Sequence, residues 1–390
     1  MIIPRLALRN LLGAGLKTWL NVIVLSFSFV IIIWMQGLYK GMGEQAKVAQ
    51  IDSEYGGGQY WHENYDPYDP LTLEDAHSVI PGGLQDQIDG GQATPVLITQ
   101  ATIYPDGRLL SILLKGIDPA QTVVNLPTRF LKEEGEEIQA LIGTRMAKNT
   151  GLKVGDSVTI RWRDAQGTFD ARDVQIVQIM KTTVQSVDQG QIWIPINRMR
   201  SLMRMGNEAS LVILAKNTAE FPSAAGWIHK DMDFLLQEID ALIEAKTFGG
   251  AIMYLILLLL AMLAIFNTQV LSIFKRRKEM GTMMAMGFPR LKIIQLFTLE
   301  GALHSVLAAI VAAIYGIPFL YWFAKTGWAM PEVTDSYGFA LGEKLFPIYT
   351  AGLVIGTIIL VLSVTTVVSF LPTRKIAKLK PTDAIKGKMS

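Results

Sequence analysis

The 390-residue sequence is half hydrophobic, carries only 18% charged residues and has a mean hydropathy of +0.32. Soluble domains run near about 25% charged, so this balance, with no cysteine at all, excludes a disordered chain, a collagen-like repeat, a disulfide scaffold and thiolate chemistry. The net charge of +2 hides a segregation along the chain that sets topology.

Residues 1–18 hold Arg5, Arg9 and Lys17 and no acid. Residues 19–39 form the first apolar run, long enough to cross a bilayer, which takes about 20 residues. The run exceeds the apolar stretch of a cleaved signal peptide, about 7–15 residues. No small-residue cleavage site follows it at 36–40, so it predicts a retained signal anchor. Residues 41–54 lack proline and extend the helix outward.

The segment 40–248 reads as a mixed α and β domain. Residues 95–104 and 109–116 flank Pro105-Asp106-Gly107, and 157–162 and 173–180 flank a turn at 164–167; both patterns predict hairpins. Residues 191–196 predict a strand. Residues 72–76, 138–150, 198–205 and 221–233 predict helices or helical turns. Before the next run, Leu235, Leu236, Ile239, Leu242 and Ile243 recur with helical spacing. With 41–54 they make either a stalk that joins domain to membrane or two ordinary juxtamembrane helices.

Three further apolar runs follow at 249–274, 293–323 and 346–371, separated by a basic segment at 275–292 and a short loop at 324–345; a tail spans 372–390. Core helices rarely stay apolar all round for so long. The chain is therefore expected to be an α-helical membrane protein with four transmembrane helices and a mixed α+β extracytoplasmic domain inserted between helices 1 and 2. Segments 1–18, 275–292 and 372–390 together hold 15 basic and 2 acidic residues, whereas 41–248 holds 18 basic and 28 acidic. Positive charge stays on the cytoplasmic side. Both termini and the middle segment are expected inside the inner (plasma) membrane and the large domain outside, with the basic flanks against membrane lipid.

The catalytic inventory is thin. The four histidines, His62, His77, His229 and His304, show no metalloprotease spacing, and no P-loop occurs. Asp66, Asp69, Glu74 and Asp75 are interrupted by Pro67 and Pro70 and read as a solvated loop. No catalytic, cofactor or metal residue is expected, and nothing points to nucleic acid. Within the runs, Asn267, Thr268, Gln269 and His304 predict hydrogen bonds between helices. Glu300 is expected to be structural, within reach of Arg290 or Lys292.

The segment 275–292 is the most informative. A basic run, Lys275 to Lys278, precedes Glu279, Met280, Gly281, Met283, Met284, Ala285, Met286 and Gly287. Polarizable methionines adapt to an irregular partner groove; they equally pack against a helix bundle. R-K-E-M-G at 277–281 and A-M-G at 285–287 resemble the coupling segment of FtsX/MacB/LolC-type ABC-transporter permeases. Ala7 to Leu11 with Lys17-Thr18 resembles their N-terminal amphipathic helix. Gly143, Met146, Ala147, Leu152, Gly155 and Asp156 resemble their extracytoplasmic core. Pro372, Arg374, Ala377, Pro381, Ala384 and Ile385 resemble their C-terminal signature.

The resemblance implies a non-enzymatic permease that pairs with a second copy or a paralogue on a cytoplasmic ABC ATPase dimer, with ATP and magnesium held by that ATPase. Lys278, Glu279, Met280, Gly281, Met283, Met284, Ala285, Met286 and Gly287 would make the ATPase contact. In plan the chain is most similar to the lipoprotein-releasing branch, though it has no proline between Gly155 and Asp188 where a hook-like insertion would lie. Two functions follow as expectations: extraction or export of a lipoprotein or other amphiphile, or signalling that activates an external partner such as a cell-wall hydrolase.

Overall fold

A computed structural model describes Ala7 and residues 15–218, 221–329 and 344–376. Most of the N-terminal helix, much of the 324–345 loop and the signature beyond Ile376 lie outside the described residues. The chain divides into two compact units. One comprises the described residues up to Met42, Leu242–Ala329, and those from Lys344 on; the other comprises Gly43–Ala241.

Four long helices supply the first unit: α1 (Leu16–Gln50), α5 (Met232–Lys275), α7 (Arg290–Thr326) and α8 (Ala351–Ile376), the intervening helices being introduced below. Among the described residues four helical segments are long and apolar enough to cross a membrane: Thr18–Tyr55, Met232–Leu263, Arg290–Thr326 and Ala351–Arg374. Their shared core joins Val22, Leu25 and Phe29 to Leu258, Ala261, Ala308, Ala312, Val361 and Val368. The opposite faces leave Leu255, Leu259, Ile314 and Ile359 about half exposed or more, the pattern of helices whose solvent is lipid rather than water. Small residues let the backbones close up: a methyl group on Gly316 would stand 2.7 Å from Val30 Cγ2. Between helices, Thr365 and Ser305 share a hydrogen bond of 2.9 Å.

His304 departs from expectation. Its Nδ1 lies 2.9 Å from the Glu300 carbonyl one turn earlier, a contact within its own helix rather than between helices.

The second unit is built on strands β1 (Gln59–His62), β2 (Ser78–Val79), β3 (Ala93–Ile103), β4 (Leu110–Ile117), β5 (Ile138–Gly143), β6 (Ser157–Arg163), β7 (Phe169–Met180), β8 (Gln191–Pro195), β9 (Glu208–Ala209), β10 (Leu211–Leu214) and β11 (Trp227–Lys230). Helices α2 (Gly82–Asp89), α3 (Thr144–Thr150) and α4 (Ile196–Met203) pack around them. Nine strands run in the order β11-β1-β10-β3-β4-β8-β5-β7-β6, and β6 returns to β3 through Ala101 to Ile103. The ring so closed encloses Leu97, Ile112, Ile142, Ile160, Trp162, Ile176 and Ile192. Strand alternation sends Val96, Ile98, Trp193, Leu211 and Ile213 to a second core outside it.

Both expected hairpins form as antiparallel pairs, Val96–Ile103 of β3 with β4 and β6 with Phe169–Gln175 of β7. Two helical expectations are corrected. Residues 138–143 are β5, a central strand between β7 and β8, because a short apolar run has no period that separates a strand from a helix. Within 221–233, Trp227–Lys230 is an edge strand paired to β1. The acidic loop is a single 3-10 turn, Pro70–Glu74, in which Asp69 accepts from the Leu71 amide at 3.0 Å. On the domain side, α1 and α5 are bridged by the ion pair Lys47–Asp240.

Candidate coupling site

The segment between α5 and α7 is a sharp corner. Helix α5 ends at Lys275, Arg276 takes φ −97° and ψ 9°, and a new helix, α6, runs Arg277–Ala285. The cause is on the Arg276 side chain. Its Nη1 lies 3.1 and 3.0 Å from the two Glu300 oxygens, and its Nε donates to Glu279 at 2.9 Å. The guanidinium also lies 5.0 Å from the Phe297 ring centroid. Burial works against its charge, but the Glu279 hydrogen bond and the Glu300 carboxylate outweigh that and raise its affinity for the proton.

Glu300 is 5% exposed. The expected partners Arg290 and Lys292 sit on the same helix, more than two turns or about 12–15 Å earlier, whereas Arg276 reaches across the corner. A buried carboxylate needs such a charged hydrogen-bonding partner.

The methionines divide by helical phase. Met280 is 1% exposed and packs with Ile293, Leu296 and Phe297; Met283 and Met284 pack half-buried on the same cluster. Positions i, i+3 and i+4 share one face, and that face meets α7. Gly281 is buried with them. Met286, the residue that caps the end of the helix, is 68% exposed. Of the two readings of the methionines, packing against the bundle describes Met280, Met283 and Met284, and Met286 is exposed. The exposed set is Lys278, Glu279, Ala285, Met286 and Gly287, joined by Phe288 and Leu291 at 50% and 64% exposure. Sequence reasoning passed over Phe288 and Leu291, whose apolar character at a turn was the available signal.

The exit from α6 is equally defined. Phe288 donates to the Met283 carbonyl at 3.0 Å and Gly287 to that of Met284 at 3.1 Å. This is a Schellman ending, which places Gly287 at φ +89°. Pro289 then opens α7. Among the described residues no group of three or more histidine, aspartate or glutamate side chains is placed to hold a metal ion.

Residues 18–230 match the family model of the MacB-like periplasmic core domain, and residues 251–381 match that of the FtsX-like permease C-terminal region. An uncharacterized ABC transporter permease of Methanocaldococcus jannaschii is 23% identical over 65% of this chain and 64% of its own length. One of Bacillus subtilis is 26% identical over 58% of this chain and 51% of its own. The macrolide export ATP-binding/permease protein MacB of Psychrobacter arcticus is 26% identical over 52% of this chain and 30% of its own. The chain thus spans less than two thirds of each of these relatives. Among solved structures, the periplasmic region of MacB from Actinobacillus actinomycetemcomitans aligns with a TM-score of 0.30 at 10% identity, covering 47% of this chain and 92% of that one.

Proposed function

Because the chain belongs to the MacB-like periplasmic core family and is an ABC transporter permease of the MacB/FtsX type, we propose that it converts the motion of a separate cytoplasmic ABC ATPase dimer into movement outside the membrane. It would act as a pair with a second copy or a paralogue, and ATP and magnesium would be held by the ATPase. The charge split supports both termini and the 275–292 corner on the cytoplasmic side of the inner membrane. The unbroken helices α1 and α5 are the natural rods for the motion. The cargo would be a lipoprotein or other amphiphile drawn from the membrane.

One observation carries the reading. At a corner where Arg276–Glu300 ties the start of the short helix to the spanning helix α7, the turn that follows the short helix and the first turn of α7 hold three apolar side chains, Met286, Phe288 and Leu291, out to solvent. Exposed apolar groups on a rigid corner are the raw material of an interface hot spot.

The substitution Met286→Asp with Phe288→Asp tests it by co-purification with the ATPase. Loss of two such anchors is expected to weaken association by about thirtyfold or more, the equivalent of about 2 kcal/mol, while the permease still inserts and folds. Undiminished ATPase binding and ATP turnover would reduce the corner to a positive-inside loop.

A further inference from the structure

In the Gly43–Ala241 unit a cavity of about 490 Å³ opens over the outer face of the sheet. We infer that it is a binding site for a hydrophobic organic cation. The volume lies within the range of small-molecule sites, about 300–1,000 Å³. Its floor is apolar: Val96 of β3, Leu113 of β4, and Leu211 and Ile213 of β10. Its walls are aromatic: Tyr55, Trp61, Tyr65, Tyr68 and Phe234. Trp61 stands edge-on to both Tyr65 and Phe234, with centroids 5.1 and 5.8 Å away, so neighbouring walls meet near right angles.

Charge decides the sign of the ligand. The lining holds two carboxylates, Glu54 and Glu238, and one ammonium, Lys115. Lys115 is committed: its Nζ lies 3.0 Å from Glu54 and 5.0 Å from the centroid of the Trp193 ring. Glu54 also accepts from Gln50 at 2.6 Å and Ser186 at 3.2 Å. That pair is closed and close to neutral, which leaves Glu238 uncompensated at the exposed rim, where Tyr68 donates to it at 2.9 Å. An anion entering here would meet π faces and carboxylates and forfeit its hydration. A cation would meet groups that attract it. The same rings already attract a cation: the Lys230 ammonium lies 5.4 Å from the Trp61 centroid and 4.1 Å from that of Phe234.

The site also joins two helices. Glu54 and Tyr55 belong to the π-helical turn Ile51–Tyr55 that closes α1, a backbone irregularity that recurs at functional sites. Phe234 and Glu238 belong to the first turns of α5. An occupant would touch the end of one membrane-directed helix and the start of the other. The inference stands apart from the coupling reading, since it requires only that the cavity bind.

Two probes of the same tetraphenyl shell and opposite charge test it: tetraphenylphosphonium and tetraphenylborate. Each is titrated by equilibrium dialysis against the full chain in lipid nanodiscs, with empty nanodiscs as the blank. Saturable binding of one phosphonium per chain is expected, with no saturable borate. Leu113→Trp fills the cavity from the sheet and Gln237→Trp from the exposed face of α5; both are expected to lose the saturable component. Glu238→Gln keeps the shape and is expected to weaken phosphonium binding about two- to fivefold. Absence of saturable phosphonium uptake, equal uptake of borate, or full binding by both tryptophan variants would overturn the assignment.

Discussion

Arg276→Ala is expected to loosen the corner between α5 and α7 by about 3–5 kcal/mol, the cost of removing one member of a buried ion pair. Glu300 has a side chain only 7% exposed and receives two hydrogen bonds from that guanidinium. The same change releases Glu279 and uncovers Phe297. Helix α6 is short, and short helices depend on packing rather than on intrinsic propensity. Amide hydrogen exchange across Arg277–Ala285 is the direct readout, and it is expected to accelerate by two orders of magnitude or more, roughly the equilibrium shift of 3 kcal/mol. The double substitution Arg276→Met with Glu300→Met removes both charges together. It is expected to keep most of the protection, because an apolar pair of similar volume replaces a buried ion pair at little cost. Unchanged exchange in the single variant would mean that the ion pair does not hold the corner.

A second large effect is expected at Gly143, where β5 turns into α3. Its φ of −79° is open to any residue, so the requirement for glycine is steric. A Cβ there would lie 2.4 Å from both the Cα and the carbonyl oxygen of Asp188 and 2.5 Å from its Oδ1. Backbone cannot swing aside as a side-chain tip can. Asp188 is also 2% exposed and tied to Arg145 at 3.2 Å. Gly143→Ala is therefore expected to cost about 3 kcal/mol, the upper range of overpacking. In the melting of this unit that corresponds to a fall of about 6–12 °C. Gly82→Ala is the control: nothing lies within 4 Å of its Cβ position, it stands in the first turn of α2, and alanine is expected to be neutral or slightly stabilising. Equal melting of Gly143→Ala and wild type would show that Asp188 yields.

Much of the architecture was legible in the residue order. The spans announced themselves because a bilayer demands apolar residues all round a helix for its full length, and that demand is local. The hairpin at Pro105-Asp106-Gly107 was legible for a similar reason, since Asp106 at φ 50° and Gly107 at φ 73° are residues that tolerate the left-handed region. Strand β5 was not, because its neighbours β7 and β8 come from later in the chain and no property of residues 138–143 names them. At the coupling corner, the sequence singled out the segment and its methionines but not their directions.

The sequence by itself determined four membrane-length helices, a mixed domain between the first two, and an opposed distribution of charge. Each is a sum over near neighbours, of hydropathy, of turn chemistry or of lysine and arginine. Only the tertiary structure decided which charges meet and which faces are free. Arg276 finds Glu300 across 24 positions, Met280 turns inward while Met286 turns outward, and Lys115 is drawn from water onto Glu54. The physical reason is that burial and pairing follow from closure of the sheet and packing of the helices. Those bring together residues far apart in the chain, and a buried charge or an open cavity exists only once they have met.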